Sequence, residues 1–172
     1  AYCVSTASFP QAQLPHSTNF MMGSTEFEQT DLGLYTLNGI TRFIDEAKAK
    51  LDAPIDAELK AKLREAIART WHSRNVIGYY ISDEPECRGL SPRFLKSLYE
   101  FMAVEDPYRF CMIVSRSPAT YIGACDVMCP HPYLTPQQYE DGRREFGNDL
   151  RHIHNVISEA AGANDGSKAI WS

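Results

Sequence analysis

The sequence predicts an α/β fold built around a parallel sheet, because short apolar runs alternate with amphipathic helical segments along its 172 residues. Parallel neighbours need crossovers of about a dozen residues or more, and helical segments occupy those intervals. Neither common glycine-rich phosphate turn, G-x-G-x-x-G or G-x-x-x-x-G-K-[ST], occurs, which disfavours an open doubly wound sheet. Polar residues follow several predicted strands, as in a (β/α)8 barrel.

Composition excludes several classes of partner. The net charge is −5, with 17 Lys and Arg against 22 Asp and Glu, so we expect no nucleic-acid partner. No apolar run approaches the roughly 18 residues of a membrane span and no signal-peptide pattern opens the chain, so we expect no membrane partner and predict no compartment. Five cysteines, an odd number in a chain this long, favour reduced thiols.

Two helices are predicted ahead of the first buried strand. Apolar residues at helical spacing mark the first of them: Leu37, Ile40, Ile44, Ala47 and Leu51. After the break at Pro54, Asp56 is the predicted N-cap of the second helix. The apolar stripe of this second helix consists of Leu59, Leu63, Ile67 and Trp71.

The middle of the chain predicts strand, helix, strand and strand. Val76 to Ile81 is a continuous apolar run, typical of a strand buried on both faces. Ser91-Pro92 predicts a helix start, with serine as N-cap and proline at the first helical position. The buried face of that helix is predicted to be Phe94, Leu95, Leu98, Phe101 and Met102. Phe110 to Val114 and Asp126 to Cys129 are the next predicted strands.

The last third predicts one more helix and one more strand. Thr135-Pro136 has the pattern of a helix start, and Gly162 of a helix end. The apolar face between them is predicted to be Leu150, Ile153, Ile157 and Ala160. "KAIWS" then begins a final strand at Ala169.

The stretch "YYISDEPE", Tyr79 to Glu86, turns from an apolar strand into carboxylates around a proline. Polar groups also follow the next two predicted strands, in "SRS" from Ser115 and in "CPHPY" from Cys129. An Asp-Glu-Pro tripeptide is a polar turn in most proteins. Because carboxyl ends of barrel strands meet at one edge, the context favours a catalytic site here.

Four stretches together resemble a known family: "RTWHSRNVIGYYISDEPE", "LKSLYEFMAVEDPYRFCMIV", "ACDVMCPHPY" and "SKAIWS". They look like the middle and late part of a (β/α)8-barrel glycoside hydrolase of the large retaining clan, in which Asn-Glu-Pro or Asp-Glu-Pro ends the fourth strand. The resemblance covers about Trp71 to Ser172. It implies that residues 1–172 form a single partial barrel domain of catalytic type, approximately strands three to seven, with "AYCVSTASFP" as strand three.

The resemblance also implies roles for individual residues. Glu84 matches the acid/base glutamate, and Asp83, the second predicted catalytic residue, stands where asparagine is more usual. The substrate-binding residues that follow from this placement are Tyr133, His131, Asp126, Phe9 and Gln11. The expected partners are a carbohydrate substrate and the remainder of the chain's own barrel, with no cofactor. No metal is expected, because Cys125, Cys129 and His131 match no common zinc-ligand spacing.

Glycoside hydrolysis needs two carboxylates across the scissile bond, and the sequence offers a candidate for one. The resemblance places the second, the nucleophile, at the end of strand seven, beyond Ser172. We therefore expect a partial chain, cut from a retaining hydrolase, that by itself hydrolyses no glycoside at a useful rate. Two alternatives remain: a barrel of the same fold that binds carbohydrate or acts as a scaffold without catalysis, and an open α/β metabolic enzyme.

Overall fold

The computed structural model describes residues 3–4, 20–24, 35–131, 137–138, 144–145 and 149–171, with side chains described for 35–131 and 151–171. The strands are β1 (Cys3–Val4), β2 (Phe20–Ser24), β3 (Tyr35–Gly39), β4 (Val76–Asp83), β5 (Phe110–Ser115), β6 (Val127–Pro130), β7 (Gln137–Gln138), β8 (Arg144–Glu145) and β9 (Ala169–Ile170). The α-helices are α1 (Glu46–Ala49), α2 (Ala57–Thr70), α3 (Pro85–Arg88), α4 (Pro92–Glu105), α5 (Pro118–Tyr121) and α6 (Asp149–Ala163). Short 3-10 helices span Ile40–Phe43 and Ile122–Ala124.

Seven of the described strands form one parallel sheet in the order β1-β2-β3-β4-β5-β6-β9. Strands β7 and β8 form a separate antiparallel pair. The predicted α/β class and the parallel adjacency of the strands near Val76, Phe110, Asp126 and Ala169 are confirmed. The sheet contains two strands that the sequence did not predict, because β2 and β3 lie between β1 and β4.

The helix predicted over Leu37 to Leu51 is wrong. Leu37 lies in β3 and pairs with Gly78 of β4, Ile40 opens a 3-10 helix, and α1 is a single turn capped by the Asp45 carboxylate, which accepts from the Ala47 N–H at 2.9 Å. A strand, a turn and a short helix in succession reproduce the same apolar spacing. The strand beside β4 is therefore β3 and not "AYCVSTASFP", whose Cys3–Val4 pairs with β2.

The two predicted helix starts in the middle of the chain are confirmed. Asp56 caps α2 by accepting from the Leu59 N–H at 2.8 Å, and Ser91 caps α4 by accepting from the Arg93 N–H at 3.2 Å. The predicted stripes are buried on both helices with two exceptions. Phe101 is half-buried, and Trp71 lies just past the end of α2 with 47% exposure, so Thr70 is the last buried residue of that helix.

The described core has two parts, one on each face of the sheet. Strand residues such as Tyr79, Ile81 and Ile113 pack with the helices in one cluster. The opposite face carries strand side chains alone in its cluster, with Leu37, Tyr80, Met112 and Val114 buried. Within the described residues the clustered helices therefore cover one face, as a barrel's outer layer requires.

The predicted start of the last helix at Thr135-Pro136 is wrong. Those two residues lie outside the described ones, but Gln137–Gln138 immediately after them is strand, and α6 begins at Asp149. On α6, Val156 and Ala160 are buried, and the helix runs through Gly162 to Ala163. The final strand at Ala169 is confirmed. Among the described helices, none combines the length and apolar character needed to cross a bilayer.

Candidate active site

Three neighbouring strands end at the same edge of the sheet. Asp83 of β4 is level with Val114 of β5, Val114 is level with Cys129 of β6, and Ser115 is level with Pro130. We call this the carboxyl edge and the opposite one the amino edge. The residues after β4, β5 and β6 therefore meet, as expected from the sequence.

Glu84 links β4 to α3 in a strained conformation. Its φ of 40° and ψ of 60° are left-handed, and every other described residue with positive φ is a glycine. A non-glycine residue in this region costs about 1–2 kcal/mol. The backbone around it is held at both ends, because its N–H donates to the Val114 carbonyl at 2.9 Å and its carbonyl accepts from the Cys87 N–H at 3.0 Å.

The Glu84 carboxyl lies against His131. The side chain of Glu84 is 18% exposed, and its buried Oε1 lies 3.5 Å from Nδ1 of His131. The His131 N–H donates to the Ser115 carbonyl at 2.8 Å, so two consecutive carbonyls of β5, those of Val114 and Ser115, hold the backbones of Glu84 and His131. This places a carboxyl and an imidazole side by side at the carboxyl edge.

Two buried side-chain oxygens at this edge, Oε1 of Glu84 and Oγ of Ser82, make no hydrogen bond among the described residues. Buried polar atoms are usually hydrogen-bonded, and exceptions call for an explanation such as a catalytic role.

Asp83 is exposed and lies near Cys129. Burial raises the pKa of the Cys129 thiol, and the Asp83 charge raises it further. The Asp83 charge therefore influences the Cys129 thiol at the end of β6, on the far side of β5.

Asp126 lies at the other edge of the sheet, which removes it from the expected substrate-binding set. It precedes β6, and its N–H donates to the Cys111 carbonyl at 2.9 Å. Its carboxylate accepts from the Tyr99 hydroxyl at 2.7 Å and from the Cys111 N–H at 2.8 Å. β6 begins one residue later than predicted, and a residue that enters a parallel strand lies at its amino end.

The other expected site residues lie outside the described part of the chain: Phe9, Gln11 and Tyr133. In residues 35–131 and 151–171, no group of three or more His, Cys, Asp or Glu side chains could hold a metal ion. Cys87, Cys111, Cys125 and Cys129 are free thiols.

Sequence reasoning assigned no role to two residues that shape the site, Glu86 and Ser115. Oε2 of Glu86 accepts from the Ser115 hydroxyl at 3.0 Å, and Oε1 accepts from the Arg116 N–H. Ser115 is fully buried. The available signal was the third carboxylate of "SDEPE" together with the serine that ends β5.

Comparison with known proteins gives likeness of fold. No family model matches the chain, and no curated protein matches it. Among solved structures, it is similar to a β-D-glucuronidase from Dictyoglomus thermophilum, with 17% identity, 94% of this chain and 30% of that chain covered, and a TM-score of 0.63. A family 2 β-galacturonidase from Eisenbergiella tayi is similar with 15% identity and a TM-score of 0.59, and the match covers 98% of this chain and 34% of that chain.

An intracellular xylanase from Thermoanaerobacterium saccharolyticum is also similar, with 10% identity and a TM-score of 0.54, and the match covers 97% of this chain and 70% of that chain. The chain spans about a third of the glucuronidase and of the galacturonidase. At these identities the likeness concerns the fold. The chain therefore has the fold of a (β/α)8-barrel segment.

Proposed function

We propose that the chain is the acid/base-carrying segment of a glycoside hydrolase that cleaves O-glycosidic bonds with retention of configuration. The observation that carries the proposal is Glu84. It ends β4 in a strained backbone conformation and has a buried carboxyl oxygen beside His131. Strained residues cluster at active sites, where surrounding structure holds them in place.

Glu84 is assigned two successive proton transfers. Its carboxyl protonates the leaving glycosidic oxygen in the first step, and its carboxylate takes a proton from water in the second. His131 orients the carboxyl from the β6 side. Asp83, which is exposed, accepts hydrogen bonds from sugar hydroxyls, as a carboxylate can only accept.

The remaining proposed substrate contacts are Tyr133, Phe9 and Gln11, together with His131 itself. The nucleophile is assigned to a second carboxylate outside these residues, about 5–5.5 Å from Glu84, the separation typical of retention. The whole protein's activity belongs to this proposal, because the chain spans about a third of the first glycosidases it matches. Glucuronide, galacturonide and xylan enzymes share the fold, so no single sugar is assigned.

Replacing Glu84 with glutamine tests the proposal, in the longest natural polypeptide that contains this chain. Glutamine keeps the size of the side chain but delivers no proton. We expect kcat/KM for glycosides with poor leaving groups to fall about 10²–10⁴-fold, the usual worth of general acid–base catalysis. Aryl glycosides with activated leaving groups need no proton and should lose far less. Glu100→Gln, an exposed change on α4, is the control.

Unchanged hydrolysis of unactivated glycosides by Glu84→Gln would overturn the proposal. Binding of sugars without turnover by the unaltered polypeptide would instead support the non-catalytic carbohydrate-binding barrel. Absence of both would support the scaffold.

A further inference from the structure

The turn that carries Glu84 is fastened to the end of β5 by a second glutamate. Both carboxylate oxygens of Glu86 accept hydrogen bonds from β5 and the residue after it, Oε2 from the Ser115 hydroxyl at 3.0 Å and Oε1 from the Arg116 N–H. We call this pair of bonds the β5 clamp. The clamp joins Glu86, two positions after Glu84, to β5. The same strand accepts a hydrogen bond from the Glu84 N–H through the Val114 carbonyl.

Ser115 connects the β5 clamp to the other side of the site. Its hydroxyl donates to Glu86 and accepts from the Ser117 N–H at 3.0 Å, while its carbonyl accepts from the His131 N–H at 2.8 Å. The Glu84 carboxyl then meets His131 at 3.5 Å. Contacts therefore run in a closed ring from Glu84 through Glu86, Ser115 and His131 back to Glu84.

A left-handed glutamate needs such a ring. The conformation persists only where neighbouring contacts offset its cost of about 1–2 kcal/mol. The turn also has a second tether, but at its far end and to a different layer, since Nε of Arg88 donates to Glu46 of α1 at 2.8 Å. The β5 clamp is the tether nearer to Glu84 and to the site.

We propose that Glu86 is a positioning residue that holds Glu84 in its left-handed conformation and so aims the acid/base carboxyl; this rests on the proposed function of Glu84. Glu86 itself touches no reacting atom. Its two oxygens are already engaged by Ser115 and Arg116. Loss of the clamp lets the turn relax towards negative φ, which swings the Glu84 carboxyl away from His131.

The first test compares Glu86→Ala with Glu86→Gln in the longest natural polypeptide that contains the chain. Alanine removes both acceptors. Glutamine keeps both contacts and reverses one of them: its amide oxygen accepts from the Arg116 N–H, and its NH2 group donates to the Ser115 hydroxyl oxygen, which then no longer donates to residue 86. Glu46→Ala is the matched control, since it releases the Arg88 end of the same turn and leaves the clamp intact.

We expect Glu86→Ala to lower kcat/KM for poor leaving groups about 10–100-fold, because a displacement of about 1 Å can cost 10²-fold. Activated aryl glycosides should change by less than about threefold, the same leaving-group signature that marks the loss of an acid. Glu86→Gln and Glu46→Ala should both stay within about threefold of the unaltered protein for either substrate. A purely structural role for Glu86 would lower both substrate classes equally, and that result would overturn the proposal.

Hydrogen exchange of the Glu84 amide, which donates to the Val114 carbonyl, provides a readout that needs no activity. Glu86→Ala should speed this exchange about tenfold through easier local opening, and Glu86→Gln should not. The positioning role would be overturned if the Glu84 amide exchanged at an unchanged rate in Glu86→Ala. It would also be overturned if Glu86→Gln lost as much exchange protection as Glu86→Ala. Intact hydrolysis by Glu84→Gln would refute the proposed function alone, because the exchange data test the clamp regardless.

Discussion

The two edges of the seven-stranded sheet use their polar residues differently. At the amino edge, the buried Asp106 carboxylate accepts from the Tyr79 hydroxyl and from Nη1 of Arg109, each at 2.7 Å. The same guanidinium also donates to the backbone carbonyls of Val76, Thr70, Trp71 and Ser73. At the carboxyl edge, Oγ of Ser82 and Oε1 of Glu84 are buried without a hydrogen bond among the described residues, and Glu84 is strained.

This difference supports the proposed division, in which the amino edge stabilises the fold and the carboxyl edge carries the catalytic site. Polar groups that satisfy one another rigidify a fold, whereas strain and unmet hydrogen-bonding capacity lower stability and persist where binding or catalysis needs them. A second amino-edge network has the same character, because Lys168 donates to the Tyr99 hydroxyl at 2.9 Å and that hydroxyl donates to Asp126. In barrels generally, the amino face serves stability and the carboxyl face carries the active site.

The largest effect should follow from breaking the Asp106 network. Asp106 is fully buried and Arg109 is 12% exposed, so Asp106→Ala leaves a nearly buried guanidinium without its anion. We expect the free energy of unfolding, measured by denaturant titration, to fall by about 3–5 kcal/mol. Glu100→Ala removes an exposed pair with Lys96 and should change little. A loss below about 1 kcal/mol for Asp106→Ala would contradict a stabilising amino edge.

How far this division could be predicted from the sequence depends on the type of signal. The caps Asp56 and Ser91 and the continuous apolar run of β4 are local patterns, and they located α2, α4 and the central strand correctly. Leu37 was misplaced in a helix because a spacing of three to four residues also fits a strand followed by a turn. Tertiary pairing with β4 decides between the two.

The candidate site shows the same limit. The position of Glu84 at a strand end was predictable from the apolar run before it. Its left-handed backbone was not, since glutamate has no sequence signal for positive φ, and neither was the clamp by Glu86, which depends on a contact 30 residues away at Arg116. Asp126 was assigned to the wrong edge because strand ends cannot be located to one residue from a short apolar run.

A smaller effect should appear in the alkaline range, again at the amino edge. Burial raises the pKa of Tyr79, and burial likewise raises the pKa of Tyr99. Since both folded-state values exceed the unfolded one, their contribution to stability is complete below about pH 10 and is lost as pH rises through the folded values. The free energy of unfolding should therefore decline above about pH 10.

Tyr79→Phe tests the origin of that decline. It should cost about 1 kcal/mol at pH 7 through the lost hydrogen bond to Asp106, and it should make the alkaline decline shallower. Tyr108→Phe, at a side chain that is 85% exposed, should leave the curve unchanged. An alkaline decline equally steep in Tyr79→Phe would show that other groups cause it.

The most direct measurement compares the stability and the activity of Glu84→Gly. Glycine adopts the φ of 40° without strain, so we expect the free energy of unfolding to be unchanged or higher by up to about 1 kcal/mol. Because the acid/base carboxyl is lost, kcat/KM for unactivated glycosides should fall about 10²–10⁴-fold. Glu100→Gly, an exposed position inside α4, calibrates the ordinary penalty of glycine and should lose about 1 kcal/mol with activity intact. A stability loss in Glu84→Gly as large as that of Glu100→Gly, with hydrolysis retained, would contradict the assignment of the carboxyl edge to function.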